Sequence, residues 1–466
     1  MAAASSDARA VDIRDLDVTF ATDGGDVHAV RGVSLDVRPG EVLAIVGESG
    51  SGKTVTARSI LGLLPETALT QGAVVLDGTD VIGLDREAMR RVRGTKAAMI
   101  FQEPSTALNP VFTVGWQLAE GLRAHGKYSK KQARERAIEM LGRVGIPDPE
   151  RRVDDYPHQF SGGQKQRIVI ATALALDPTV IIADEPTTAL DVTVQAEILD
   201  LLRRLRDEDG TAIVLITHNM GVVADLADRV AVMLNGEVVE TAPSSELFAA
   251  PQNDYTKRLL AAVPRLEIVD RQLPAGVAEA APVVVAEDLV IEYAGRLRRA
   301  GFRAVDHVSF SIAPGEVVGL VGESGSGKTT IGRAIAGLTP VTGGSLRVLG
   351  VEMNGVKERT FRPHRKDLGF VFQDPATSFN PLLTIAQNVA EPLVVHGGAR
   401  DAADARDRVD ELLEAVQLPK AFGDRFPHEL SGGQRQRASL ARGLALDPKL
   451  LIADEPTSAL DVSVQA

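Results

Sequence analysis

The fold is decided by the stretch GESGSGKT, which occupies residues 47–54. The apolar run Val42–Val46 precedes it and a helical pattern follows it, so we predict a strand before it and a helix after it. In this context two spaced glycines followed by Lys53 and Thr54 predict a phosphate-binding loop. Glycines let backbone N–H groups approach phosphate oxygens, and the helix N-terminus adds partial positive charge. A single match of this kind arises by chance in about 1% of chains of this length.

The octapeptide does not stand alone, because the chain is a tandem repeat. GESGSGKT recurs at residues 322–329, and SGGQ followed by basic residues begins at Ser161 and again at Ser431. The sequences IIADEPTTALDV and LIADEPTSALDV repeat in the same order, at an offset of 270 residues, and the octapeptides are offset by 275 residues. A period of this size indicates a duplicated domain and not a solenoid unit.

The repeat predicts the domain boundaries. The first domain covers residues 11–264, and residues 265–283 form a linker with two prolines and mixed charge. The second domain covers residues 284–466 and ends soon after its Ala-Leu-Asp loop. The offset of 270 residues would place its matching end near residue 534, about 68 residues further on. We therefore expect the second domain to be incomplete, as in a fragment or a truncated reading frame.

Both halves show the same coarse pattern of elements. Short apolar runs at 180–183 and Leu450–Ala453 predict buried parallel strands, and 317–321 matches the run before the first octapeptide. A helix that Ser129 can cap is predicted between Gln102 and Ser161, with apolar positions at spacings of three and four. These positions are Ala133, Ala137, Ile138, Leu141 and Val144, matched in the second half by Ala402, Ala405, Val409, Leu412, Leu413 and Val416. The predicted fold class is α/β, with a parallel sheet and a helical insertion in each domain.

The composition excludes several classes of protein. With 44% hydrophobic and 24% charged residues over 466 positions, the chain is typical of globular proteins. Its net charge of −12 disfavours sequence-independent binding to nucleic acid. The chain has no cysteine, which excludes disulfides, thiolate zinc sites and cysteine-ligated clusters. Its longest apolar runs are far below the roughly 20 residues of a membrane span.

The repeated motifs predict a phosphoryl-transfer chemistry. Lys53 is expected to contact the β- and γ-phosphates of a nucleotide, and the Thr54 hydroxyl to ligate Mg²⁺. An apolar strand delivers Asp184 and Glu185 at its tip, where Asp184 suits the Mg²⁺ shell and Glu185 suits an attacking water. The alternative for the acidic pair alone is a simple turn at a strand end. The second half repeats these positions as Lys328, Thr329, Asp454 and Glu455.

Five motifs follow one another in each half: the phosphate loop, the glutamine loop (IFQEP around Gln102 and VFQDP around Gln373), the SGGQ signature, the Asp-Glu strand and the Ala-Leu-Asp loop. In this order they resemble the ATP-binding cassette (ABC) ATPases over nearly the whole chain. The signature is the discriminating motif, because most phosphate-loop proteins lack it. The resemblance implies two cassettes, each with a parallel-sheet core, an antiparallel β subdomain and a helical insertion. It also implies ATP as substrate, Mg²⁺ as cofactor, and head-to-tail pairing of the two cassettes within the chain, which ATP binding would close and hydrolysis would reopen.

The resemblance assigns site residues to matching positions. The nucleotide-binding residues of the first cassette are Gly47, Ser49, Gly50, Gly52, Lys53, Thr54, Gln102, Ser161, Gly162, Gly163 and Gln164. Those of the second are Gly322, Ser324, Gly325, Gly327, Lys328, Thr329, Gln373, Ser431, Gly432, Gly433 and Gln434. Mg²⁺ would be held by Thr54, Gln102 and Asp184, and by Thr329, Gln373 and Asp454. Each phosphate loop would pair with the other cassette's signature.

Three further residues complete the implied sites. His218 matches the switch histidine that contacts the γ-phosphate, so Glu185, His218 and Glu455 are the implied catalytic residues. The position matching His218 would lie beyond the end of the sequence, so we expect the second composite site to be incomplete. Phe20 and Tyr293 resemble the aromatic that stacks on adenine, with a core aromatic of a strand as the alternative.

Longer motifs point to one branch of the family. FQEPSTALNPVFTVG, FQDPATSFNPLLTI and a segment of about 235–264 that contains PQNDYTKRLLAAVP resemble ATP-binding subunits of dipeptide, oligopeptide, nickel and glutathione importers. In the last motif Asn253 and Asp254 replace the usual His-Pro. This branch implies two membrane permease subunits contacted through the glutamine-loop regions, an extracytoplasmic solute-binding protein, no nucleic acid, and a peripheral location on the cytoplasmic face of the membrane. The alternative is a soluble tandem cassette ATPase acting on the ribosome, although such proteins usually carry a long charged helical linker.

Overall fold

The computed structural model describes residues 8–22, 25–126, 128–188, 190–263, 281–295, 301–373 and 378–457. These residues fall into two compact units, one within residues 8–263 and the other within residues 281–457. Each unit is described by itself. In the part of the chain that is described, no helix combines the length and apolar character needed to cross a membrane.

The first unit alternates strands and helices along the chain. Its strands are β1 (Val11–Thr22), β2 (Gly25–Val37), β3 (Val42–Val46), β4 (Ala68–Leu76), β5 (Thr79–Asp80), β6 (Ala97–Ile100), β7 (Val180–Asp184), β8 (Ala212–Ile216), β9 (Arg229–Leu234) and β10 (Glu237–Pro243). Its helices are α1 (Lys53–Ile60), α2 (Arg86–Val92), α3 (Pro104–Ala107), α4 (Val114–Ala124), α5 (Lys130–Arg143), α6 (Pro149–Arg152), α7 (Gly162–Leu174), α8 (Val192–Asp209), α9 (Met220–Leu226), α10 (Ser244–Ala249) and α11 (Asp254–Ala261).

Two sheets organise this unit. An antiparallel sheet has the strand order β2-β1-β4-β5, and a larger sheet has the order β10-β9-β3-β8-β7-β6. In the larger sheet only the β9–β10 pair is antiparallel. Every residue of β3, β7 and β8 is buried, because parallel strands are covered on both faces. The buried strand predicted at 180–183 is therefore confirmed, as is the α/β fold class.

The predicted helical insertion is α5, with α4 before it. Ser129 caps α5 with a capping box, in which its hydroxyl accepts from the Gln132 N–H and the Gln132 side chain accepts from the Ser129 N–H. Ala133, Ala137 and Leu141 are buried on one face of the helix, as their spacing predicts. The insertion packs against α7 and lies between the glutamine loop and the signature in sequence.

The second unit repeats this order in its described residues. Its strands are β11 (Val284–Tyr293), β12 (Phe302–Ile312), β13 (Gly343–Val348), β14 (Val351–Glu352), β15 (Leu368–Val371) and β16 (Leu450–Ala453). Its helices are α12 (Lys328–Ile335), α13 (Glu358–Phe361), α14 (Ile385–Val395), α15 (Arg406–Ala415) and α16 (Gly432–Leu444). An antiparallel sheet has the order β12-β11-β13-β14, and β15 pairs in parallel with β16. The predicted insertion helix is α15, which begins after Ala405.

Two predictions for this unit are wrong. Residues 317–321 form no strand, and Val317 and Val321 are 91% and 89% exposed. The strand Leu450–Ala453 is present but only half-buried, with its residues alternating between partial burial and exposure. The physical reason is that, within residues 281–457 as described, β16 pairs with β15 alone and no strand pairs with 317–321. An apolar run becomes a buried strand only where neighbours supply hydrogen bonds and cover.

Candidate nucleotide-binding site

The first octapeptide forms a tight loop between β3 and α1 that only glycine can follow at two points. Gly47 has φ 147° and Gly52 has φ 98°, which are left-handed backbone conformations. A Cβ on Gly47 would lie 2.2 Å from the Met233 carbonyl oxygen, and one on Gly52 would lie 2.5 Å from the Ala29 carbonyl oxygen. The loop therefore packs closely against the backbone of β2 and the end of β9.

Lys53 is folded into the concave side of this loop. Its ammonium group donates to the carbonyl oxygens of Gly47 at 2.8 Å and Glu48 at 2.7 Å. Lys53 is only 8% exposed. The carbonyl groups fix the position of the charge at the N-terminus of α1. A positive charge among loop N–H groups at a helix N-terminus suits a polyphosphate.

Thr54 and Asp184 meet at the end of the central strands. The Thr54 hydroxyl donates to the Asp184 carboxylate at 3.3 Å, which joins α1 to the tip of β7. Burial, together with the neighbouring charge of Glu185, raises the pKa of Asp184 above its ordinary value. A bound divalent cation would stabilise the ionised Asp184 carboxylate and so lower its pKa. Hydroxyl, carboxylate and amide oxygens are the ligands that Mg²⁺ prefers. The Thr54 hydroxyl and the Asp184 carboxylate, which the structure brings together, therefore fit Mg²⁺, and Gln102, whose amide bonds the neighbouring Glu185, stays a predicted ligand.

Glu185 is the centre of a hydrogen-bonded cluster. Its carboxylate accepts from the Gln102 amide at 2.8 Å and the Thr188 hydroxyl at 2.9 Å, and it lies 3.0 Å from His218 Nδ1. Burial alone would raise the pKa of Glu185, but the hydrogen bond and charge of His218, with Thr188 and Lys53, hold it below its ordinary value. The carboxylate is thus kept ionised in a mostly buried position.

The backbone at this glutamate is strained. Glu185 has φ 49°, a left-handed conformation that a side chain of this size rarely adopts, and its N–H donates to the Ile216 carbonyl at 2.8 Å. Such strain persists only where the surrounding structure enforces it, and it is concentrated at functional sites. Glu455 in the second unit has φ 50°. The sequence motif places two acids at the strand tip, and the turn aims the second one differently from the first.

Each signature forms the start of a helix. Ser161 caps α7 with a capping box, accepting from the Gln164 N–H at 3.3 Å while the Gln164 side chain accepts from the Ser161 N–H at 3.2 Å. Gly162 is exposed at this N-terminus. A Cβ on Gly163 would lie 2.5 Å from Val194 Cγ1, so this glycine allows α7 to pack against α8. Ser431 and Gln434 form the same capping box before α16.

The second unit repeats most of the site within its described residues. Lys328 donates to the carbonyl oxygens of Gly322 and Glu323, each at 2.7 Å. The Thr329 hydroxyl donates to Asp454 at 3.2 Å, and the Gln373 amide donates to Glu455 at 2.9 Å. The loop here is more exposed, since residues 322–326 are all exposed.

The two predicted adenine-stacking aromatics lie in equivalent places. Phe20 pairs with Val27 across β1 and β2, two residues before Ala29, whose carbonyl oxygen closely approaches Gly52. Tyr293 pairs with Phe302 across β11 and β12 in the same way. Phe20 also packs against the core, whereas Tyr293 is exposed. Stacking on adenine stays a prediction for both.

Two residues of the site were missed by sequence reasoning. Thr188 bonds Glu185, and the signal that indicates it is the hydroxyl that recurs as Ser458 in the repeated motif. Tyr255, in α11, accepts a hydrogen bond from the Glu48 N–H of the phosphate loop at 3.0 Å. These two positions are 207 residues apart, and no local pattern links them.

The sequence is similar to those of known proteins. The family model described as "ABC transporter" matches residues 30–188 and 305–458. A peptidoglycan transport ATP-binding protein of Agrobacterium fabrum is 46% identical, over 97% of this chain and 83% of its own length. An oligopeptide transport ATP-binding protein of Mycobacterium tuberculosis is 42% identical, over 98% and 87% respectively. A glutathione import ATP-binding protein of Escherichia coli is 45% identical, over 97% and 78%.

Proposed function

Since the chain belongs to the ABC transporter family and carries two of its ATPase domains, we propose that it energises the import of peptides or related small solutes through a separate membrane permease. The solute class is that of dipeptides, oligopeptides, glutathione or nickel. The names of its relatives support this class, since they are transport proteins for peptidoglycan, oligopeptide and glutathione. The single observation that carries the ATPase part is the cluster of Gln102, Thr188 and His218 on the Glu185 carboxylate.

In this proposal each residue of the first site has its own role. Lys53 and the loop N–H groups bind the β- and γ-phosphates of ATP, and Thr54, Gln102 and Asp184 hold Mg²⁺. The cation, when bound, neutralises phosphate charge. Glu185, kept ionised by its neighbours, accepts a hydrogen bond from the attacking water and orients it. His218 bonds the Glu185 carboxylate, and its contact with the γ-phosphate is what the family resemblance implies. Head-to-tail pairing of the two cassettes stays a prediction of the resemblance.

The proposed partners are two permease subunits and an extracytoplasmic solute-binding protein, with the chain peripheral on the cytoplasmic face of the membrane. One surface of the first unit supports a permease contact. The rings of Phe112 and Trp116, just after the glutamine loop, stack with centroids 4.0 Å apart. Both side chains and that of Val111 are exposed. Exposed apolar residues that lie together indicate a protein interface.

The test is reconstitution with candidate membrane permease subunits. We expect co-purification from detergent-solubilised membranes, and ATP-dependent uptake of a labelled tripeptide that Glu185→Gln stops. Trp116→Ala should weaken the co-purification and leave the ATPase activity of the isolated chain unchanged. Co-sedimentation with ribosomes, without binding to the permease, would contradict the proposal and favour a ribosomal role.

A further inference from the structure

Tyr255 lies at the first turn of α11, and its side chain turns inward to the phosphate loop. The residue is 6% exposed and belongs to the core cluster that includes Val42, Ala44 and Val46 of β3. Its hydroxyl oxygen accepts a hydrogen bond from the Glu48 N–H at 3.0 Å. Glu48 directly follows Gly47, so the bond is made to the entrance of the loop.

This bond and the Lys53 bond act on one peptide group. The amide between Gly47 and Glu48 gives its N–H to Tyr255, and its carbonyl oxygen accepts from Lys53 Nζ at 2.8 Å. Because the peptide group is planar, its N–H and carbonyl turn together. Rotation of this amide would break both bonds at once. Tyr255 therefore fixes the direction of the Gly47 carbonyl, which accepts the hydrogen bond from the Lys53 ammonium.

Tyr255 is itself held by the segment before it. Asn253 caps α11, with its side-chain oxygen accepting from the Tyr255 N–H at 2.8 Å. The Glu240 carboxylate in β10 accepts from the Gln252 N–H at 2.8 Å and the Asn253 N–H at 3.0 Å. Burial alone would raise the pKa of Glu240, but these backbone bonds, with Thr256 and the charge of Lys257, hold it below its ordinary value. A continuous set of bonds thus joins β10 to the phosphate loop.

We propose that Tyr255 is a positioning residue of the first ATP site, which acts on nucleotide phosphates through the Gly47–Glu48 peptide and Lys53. The proposal rests on ATP binding at the first loop, which is part of the proposed function, and not on import. The segment that resembles the importer branch would then have a role in nucleotide binding inside its own cassette.

The test uses the full chain carrying Lys328→Ala, so that nucleotide binding reports the first site. Tyr255→Phe removes the hydroxyl and keeps the ring in the core. We expect its dissociation constant for MgATP, measured by displacement of a fluorescent nucleotide, to rise about 3- to 10-fold, the size of one lost neutral hydrogen bond. Tyr128→Phe, at a partly buried tyrosine packed beside α4 and α5, is the matched control and should leave affinity unchanged.

A second comparison separates positioning from a merely structural effect. If Tyr255 acts through Lys53, Tyr255→Phe should change affinity less than twofold when Lys53→Met is already present. An equal loss of affinity with and without Lys53 would overturn the proposal, and so would an affinity within twofold of the parent when Lys53 is intact. These titrations contain no permease, so a failure of the import proposal would leave their outcome unchanged.

Discussion

Glu185 is a carboxylate that the fold both strains and supports. Its left-handed backbone aims the side chain, and Gln102, Thr188 and His218 hold it. A group that orients or deprotonates the attacking water contributes about 10²- to 10⁴-fold to a rate. We therefore expect Glu185→Gln to lower steady-state ATP hydrolysis by about 100-fold or more. Glu455→Gln should lower it less than twofold, because the phosphate loop of the second unit is exposed and its strand Leu450–Ala453 is only half-buried. Equal losses in the two variants would contradict this asymmetry.

Thr188 offers a finer test at the same carboxylate. Its hydroxyl donates to Glu185 Oε2 at 2.9 Å, and Thr188→Val removes this donor with little change in volume. The loss of a hydrogen bond to a charged group costs about 1.5–3 kcal/mol. We expect kcat for ATP to fall about 10- to 100-fold in Thr188→Val. Thr188→Ser keeps the hydroxyl and should retain most of the rate, and a Ser variant as slow as the Val variant would argue against this bond.

At the scale of the element, the phosphate loop depends on close approach of the backbone. Gly52 and Gly50 both have positive φ, but a Cβ on Gly52 would meet the Ala29 carbonyl oxygen at 2.5 Å, while one on Gly50 would meet nothing within 4 Å. Both alanine variants are destabilised by the left-handed backbone conformation, and only Gly52→Ala adds a steric overlap. We expect Gly52→Ala to lower the melting temperature of the first unit about 2–4 °C more than Gly50→Ala. Equal melting temperatures would mean that glycine is needed at these two positions only for its positive φ.

Local patterns in the sequence predict individual elements well, whereas strand pairing and long-range contacts depend on residues far apart in the chain. The helix cap at Ser129 and the buried strand at 180–183 are local patterns, and the structure has both. The run 317–321 has the same apolar pattern as Val42–Val46, yet it forms no strand, since pairing depends on residues far away in sequence. In the candidate site, the phosphate-loop motif indicated Lys53, the acidic pair at the strand tip indicated Glu185, and the family resemblance implied His218. The Tyr255 contact spans 207 residues and required the folded structure.

At the scale of the whole molecule, the two units differ in the support given to equivalent residues. Val46 is fully buried in β3, between β9 and β8, whereas Val321 is 89% exposed at the matching position of the second unit. An unpaired charge costs several kcal/mol when buried and little at the surface. We expect Val46→Asp to abolish the cooperative melting of the first unit, and Val321→Asp to shift the melting of the second by less than about 2 °C.

The same difference predicts how the backbone of the full chain exchanges its amide hydrogens. In β3 the N–H groups are bonded to neighbouring strands, so exchange requires the first unit to open. Within the described part of the second unit, residues 317–321 lie in no sheet and are exposed, so their exchange needs no such opening. Hydrogen exchange followed by mass spectrometry should show slow exchange for peptides covering Val42–Val46 and fast exchange for those covering 317–321. Equal protection of the two stretches would mean that the second unit acquires strand partners in solution, and the mild effect expected for Val321→Asp would then become as severe as that of Val46→Asp.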